Sequence, residues 1–311
     1  MEIPKITFSL TESSRYALGI LALVTFALIM GSIPTAIKEA MAHFSPSVQL
    51  AIRFAIGAII LVPFVREFNL KLLRDGTILG LIVFVCFACE TIGLETISAN
   101  RASFIFGLNV VFVTLFELLF SKRMSVRTLL ASGLAFTGIA IMSWQGGEPL
   151  IGNLWLLGAA LCDAGSIILL ERFAPHHPSL SLTAIRIWVV AILGLLWAAP
   201  EITGQLEAFQ ENWGVLVYLG VVATAIAFWL STIGLRRVPA YEAAVFVALE
   251  PVFGAIIAFF LLGETLSLRG FIGAAMVLSG MLLVVSRPSV DESGSELFAG
   301  TVLEEPTKTQ F

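Results

Sequence analysis

Ten long apolar runs, separated by short polar breaks, make up most of the chain. They cover residues 16–37, 47–65, 76–97, 99–120, 126–144, 151–173, 180–199, 213–235, 240–262 and 268–286. A helix needs about 20 apolar residues to cross the hydrocarbon core of a bilayer. Each run has roughly that length, so each predicts a transmembrane helix. No ten-residue alternation of apolar and polar positions occurs, which excludes a membrane β-barrel. The first run is too long for the apolar core of a signal peptide and reads as a retained span. Segment 1–15 reads as a polar cytoplasmic lead. Residues 287–311 are rich in Ser, Glu, Pro and Gly and predict a disordered cytoplasmic tail. The longest break, residues 201–212, is acidic and predicts the largest loop.

Composition agrees. Of 311 residues, 58% are hydrophobic and 13% charged, about half the charged share of a soluble domain. That excludes a soluble enzyme and a disordered chain. A net charge of −4 lacks the basic footprint of a nucleic-acid binder. The basic residues set an orientation. With the N-terminus inside, thirteen Lys and Arg fall on the cytoplasmic side. Three, Lys38, Arg101 and Arg269, fall outside, and Arg53 and Arg186 lie within spans. The excess predicts both termini in the cytoplasm and an even number of spans.

The chain also repeats itself. Ala51-Ile52-Arg53 returns as Ala184-Ile185-Arg186, and Gly31-Ser32-Ile33 as Gly165-Ser166-Ile167. Thr91-Ile92-Gly93-Leu94 returns as Thr232-Ile233-Gly234-Leu235. The offsets are 133, 134 and 141 residues, in the same order. Two repeats follow, 16–145 and 150–286, of five helices each. Five is odd, so the halves run in opposite directions through the membrane, the inverted-repeat plan of secondary transporters.

Several motifs in these runs resemble the EamA family of the drug/metabolite transporter superfamily. Gly31-Ser32-Ile33-Pro34-Thr35-Ala36-Ile37-Lys38 is similar to its first-helix signature, and Arg53-Phe54 to its second-helix arginine. Ser98-Ala99-Asn100-Arg101-Ala102-Ser103-Phe104 resembles the start of its fourth helix. Leu235-Arg236-Arg237-Val238-Pro239-Ala240, Leu249-Glu250-Pro251-Val252-Phe253 and Leu262-Gly263-Glu264-Thr265-Leu266-Ser267 resemble its eighth and ninth helices. Two places depart: Met30 stands where the family often has Trp, and Cys162-Asp163-Ala164-Gly165 replaces an aromatic-rich pattern. The resemblance implies a ten-helix solute carrier without a prosthetic group. It also implies a bacterial inner-membrane location and export of an amino acid or another metabolite.

Charged groups inside a membrane are costly and mark functional sites. Glu90 and Asp163 lie mid-span and can bind a cation, take a substrate amine or carry a proton. Aligning the repeats sets Asn109 opposite Glu250, two sides of one cavity. Pro251 is expected to free a carbonyl beside Glu250. Arg53 and Arg186, matched by the repeat, are candidate gates or anion clamps, and Lys38 a candidate gate charge. Trp188 and Trp229, with Phe228, are candidate cavity walls. Glu117 is expected to pair with Lys122 or Arg123. Cys86 and Cys89 form C-x-x-C with no second pair, and with Cys162 they read as small buried residues. His176 and His177 are a weak metal signal, so no metal is expected.

These residues predict an all-α membrane protein with no enzymatic role. It would move a small amphipathic solute by alternating access, with the solute and the bilayer as its partners and a monomeric chain. The alternatives are a nucleotide-sugar or phosphate-sugar carrier, and a non-transporting sensor or assembly subunit.

Overall fold

The computed structural model describes residues 12–64, 69–109, 111–113, 115–116, 126–143, 149–173, 176–235, 237, 246 and 249–285. Glu117, Lys122, Arg123, the tail from 287 onward and the Phe228 side chain lie outside the described set. Every regular element among the described residues is helical. The elements are α1 (Glu12–Met41), α2 (Pro46–Leu61), α3 (Leu70–Leu94), α4 (Ala99–Phe106) and α5 (Val126–Ser143). They continue with α6 (Leu150–Phe173), α7 (Ser179–Ala198), a composite α8, α9 (Glu250–Leu262) and α10 (Leu268–Val285). The pieces of α8 are Leu206–Val217, a π-helical stretch Tyr218–Ile226, and Ala227–Leu235.

Among the described residues, each of the ten apolar runs overlaps one of these helices. Five helices are long and apolar enough to cross a membrane by length and composition, and five shorter apolar helices fill the remaining places. Three boundaries differ from the apolar pattern. α3 starts at Leu70, because Asn69 caps it by accepting from the Leu72 N–H at 2.7 Å. The capped turn carries Lys71, Arg74 and Asp75, which apolar periodicity alone passes over. The acidic break at 201–212 is not a loop. It holds a short 3₁₀ turn, Ile202–Gln205, and then the start of α8. Glu250 is the first residue of α9, with Pro251 beside it in the first turn. There a proline lacks no intrahelical bond, so Pro251 frees no carbonyl.

Helix contacts follow the two repeats. α2 packs on α7, α4 on α9 and α5 on α10. α3 packs on α6 and α7, as α8 packs on α1 and α2. α1 packs on α9, as α6 packs on α4. Exchanging α1–α5 with α6–α10 maps this set onto itself, so the sequence repeat is also a packing repeat. Small residues allow the close approaches. A Cβ on Gly31 would lie 2.6 Å from the carbonyl oxygen of Glu250, so α1 and α9 touch backbone to backbone there. α9 ends on Gly263 at φ +66°, the left-handed position that favours glycine. The next residue, Glu264, then accepts from the Ala99 and Asn100 N–H groups, both at 2.9 Å. One carboxylate thus caps the N-terminus of α4 from the end of α9.

Candidate functional site

Two helices that pack on each other, α4 and α9, are each interrupted. α4 breaks at Gly107, and Asn109 follows immediately. α9 starts at Glu250. The residues that the repeat aligns therefore both sit at helix interruptions. A transporter binds its solute at such places, because broken helices offer free backbone groups at membrane depth.

Asn109 donates to Asp163 Oδ2 at 2.7 Å, joining α4 to α6. The Ser166 hydroxyl donates to the Asp163 carbonyl at 2.8 Å. Arg186 of α7 interacts electrostatically with the Asp163 carboxylate. Arg53 of α2 does the same with Glu90 of α3. Arg53 also lies over two rings, 5.1 Å from the Phe54 centroid and 5.0 Å from that of Phe87. Arg53, Glu90 and Arg186 are all buried. Burying an unpaired charge is costly, and each arginine faces a carboxylate. Glu250 differs. The groups that act on it electrostatically are Asp163 and Glu90, both carboxylates. Among the described residues the centre therefore holds two arginines and three carboxylates.

Some of these partners carry no sequence signal. The Tyr218 and Ser32 hydroxyls share a 2.5 Å hydrogen bond between α8 and α1. Tyr218 opens the π-helical stretch, a distortion frequent at functional sites. Gln49 donates to the Thr91 hydroxyl at 3.1 Å, and Thr91 donates to the Phe87 carbonyl at 2.8 Å. A polar residue one turn from a buried charge is the signal that could have found Gln49.

Other candidates lie elsewhere. Trp188 is 43% exposed, and its indole donates to the Ala58 carbonyl at 3.2 Å. Trp229 is 62% exposed. Among the described residues, neither forms a hydrogen bond or ring contact with the central charges. Lys38 lines a cavity of about 740 Å³ at the α1–α2 face, with Phe44, Ser45, Leu94, Glu95 and Gln205. At this face Ser47 donates to Glu201 at 2.7 Å and the Ser45 N–H to Gln205 Oε1 at 2.9 Å. The Ser45 and Ser47 side chains hold the exposed Glu201 carboxyl below its ordinary value. At the opposite, α6–α7 face, His177 Nε2 donates to Asp75 Oδ2 at 2.8 Å, both residues buried. His177 is thus a clasp to α3 and meets no metal-type cluster among the described residues. Cys86 donates to the Ala159 carbonyl at 3.4 Å across α3 and α6, and all three cysteines are free thiols.

This geometry can be set beside known proteins. The sequence profile of the EamA-like transporter family matches residues 17–144 and again 150–286. The chain belongs to this family. Its two matches fall on the two packing repeats. Among its relatives is an uncharacterized transporter of Archaeoglobus fulgidus, 27% identical over 85% of this chain and 95% of that protein. A probable biotin transporter of Pseudomonas aeruginosa is 30% identical over 47% of this chain and 54% of that protein. One crystal structure aligns with a TM-score of 0.56, at 18% identity, over 88% of this chain and 96% of that one. It shows the shared fold. The chain is thus a multi-pass membrane protein of a transporter family, with ten apolar helices in two repeats.

Proposed function

We propose that this family member is a secondary transporter, and not an enzyme, that moves a small amphipathic metabolite by alternating access. It would export an amino acid or a related solute across a bacterial inner membrane. The two repeats rock around the centre built by Glu90, Asn109, Asp163 and Glu250. Both termini lie in the cytoplasm, as the charge asymmetry argues, so the α1–α2 face is external. The observation that carries this reading is the cluster of buried and half-buried charges beside two interrupted helices. In a bundle this apolar, five charges at membrane depth are costly unless they serve a solute or ion path. Arg53 acts electrostatically on Glu90 and Arg186 on Asp163, and Lys38 at the mouth attracts or repels charged solutes. The third carboxylate, Glu250, suits an amine. We read Trp188 and Trp229 as facing lipid, on their exposure.

Counterflow in proteoliposomes tests this directly, with a panel of amino acids, amines, biotin and sugar phosphates. Accelerated exchange of an amino acid or amine, lost in Glu250→Gln, supports the reading. Exchange of a sugar phosphate alone would replace it with the nucleotide-sugar or phosphate-sugar alternative. Labelling of Ser295→Cys from outside intact cells would overturn the orientation.

A further inference from the structure

We propose that Gln49, Thr91, Arg53 and Glu90 line a short chain of bound water that carries protons between the α1–α2 mouth and the central carboxylates, and that a leucine at the position matching Gln49 blocks such a chain in the second repeat. Its use in coupling rests on the transporter reading, whereas the water chain itself does not.

Three side-chain atoms here are buried without a partner: Gln49 Oε1, Arg53 Nε and Glu90 Oε2. Their residues are 1%, 2% and 3% exposed. Buried polar atoms are almost always bonded to protein or to ordered water, so three on two facing helices mark places where water sits. Their spacing forms steps. Ser45 and Glu95 line the mouth cavity. One turn deeper lie Gln49 and Thr91, bonded to each other. Another turn deeper lie Arg53 and Phe87, which face each other, with Glu90 beside them. A turn rises about 5.4 Å, roughly the reach of two hydrogen-bonded waters.

The atoms also suit a relay. Gln49 uses its amide N–H on Thr91, so its carbonyl remains as an acceptor. Arg53 Nε is a donor and Glu90 Oε2 an acceptor. A water accepting from Arg53 can donate onward. A proton arriving on this chain forms an O–H bond at Glu90 Oε2, and its release breaks that bond, while Arg53 keeps its charge throughout. The charged and titratable groups acting on Glu90 are Arg53 from α2, Asp163 from α6, Glu250 from α9 and Cys86 on its own helix.

The second repeat departs from this set at its outer step. The offset that aligns Arg53 with Arg186 sets Leu182 against Gln49, and the Thr-Ile-Gly-Leu offset sets Ser231 against Glu90. Leu182 is fully buried in a cluster with Leu72, Leu79 and Ile185, packed against Leu169, Leu170 and Phe173. The positions are related by the fold: Arg53 and Thr91 recur as Arg186 and Thr232, Glu90 gives way to Ser231, and Gln49 alone has an apolar counterpart.

Infrared difference spectroscopy of the full-length protein in liposomes tests this through hydrogen–deuterium exchange at carboxyl groups. On acidification, wild type should show a protonated carboxyl band that Glu90→Gln removes. It should shift within seconds of transfer to D2O. In Gln49→Leu the band should remain while its exchange slows at least tenfold. Gln49→Ser, which leaves room for a water, should restore fast exchange. Equal exchange in Gln49→Leu and wild type would overturn the proposal, as would a full set of carboxyl bands in Glu90→Gln. The bands are read without any solute, so a failed flux assay and a failed water chain are told apart.

Discussion

The two ends of the bundle share a packing plan and differ in chemistry. At the α1–α2 face a cavity of about 740 Å³ is lined by Ser45 and Glu95, and Gln49, Arg53 and Glu90 lie buried one to two turns beneath it. At the α6–α7 face the corresponding helix, α7, presents Leu182 and Ile185 to Leu72 and Leu79, and His177 clasps Asp75 over them. One end is polar and open, and the other is apolar and latched. Packing symmetry can therefore be kept while access is not. Inverted repeats make two similar gates, and side chains decide which of them is wet.

The largest expected effect comes from the central charges. Asp163→Asn removes the carboxylate that acts electrostatically on the buried Arg186, and removing the counter-charge of a buried ion costs up to about 3–5 kcal/mol. Thermal unfolding in detergent should show that loss, with partial recovery in Asp163→Asn combined with Arg186→Met. Glu250→Gln is the contrast. It removes a carboxylate that faces two others, so stability should hold or rise while solute flux falls tenfold or more. Equal destabilisation by both amides would show that Glu250 is held by a cation after all.

The apolar seal comes next. Leu182→Ala should cost about 2–5 kcal/mol, the range for emptying a leucine site. Gln49→Ala should cost less, because its surroundings already accommodate water. If the two lose the same stability, the ends are alike in packing and the contrast fails. Asp75→Ala should cost about 1–3 kcal/mol by orphaning the His177 ring. It should also raise thiol labelling of a cysteine placed at Leu182.

The smallest effect lies at the open end. The Ser45 and Ser47 side chains favour the ionised form of Glu201, so its folded value sits below its unfolded one. Such a group stabilises the fold above its unfolded value, and the contribution disappears as pH falls through the lowered one. A small loss of stability between about pH 5 and pH 3 should therefore be absent in Glu201→Gln. The group is fully exposed, so solvent screens most of the interaction.

The span pattern was legible because lipid demands apolar length and little else. The repeat was legible because glycines and arginines at close contacts tolerate little change: Gly31 meets α9 backbone, and Arg53 is enclosed by two rings. Asp163 and Glu90 were found because charge in an apolar run is conspicuous. Gln49, Thr91 and Tyr218 were not, since uncharged polar residues in spans are common and only packing shows which are buried together. Asp75 and His177 were missed as a pair because 102 residues separate them. The helical start of α8 was hidden by acidic residues that read as loop.

Thiol labelling at matched positions tests the central claim most directly. Gln49→Cys and Leu182→Cys, each in a background with Cys86, Cys89 and Cys162 replaced, are treated in membranes with a small water-soluble thiol reagent. The account predicts fast labelling at position 49 and little at position 182 in the absence of solute. Labelling at equal rates, or faster at position 182, would contradict it.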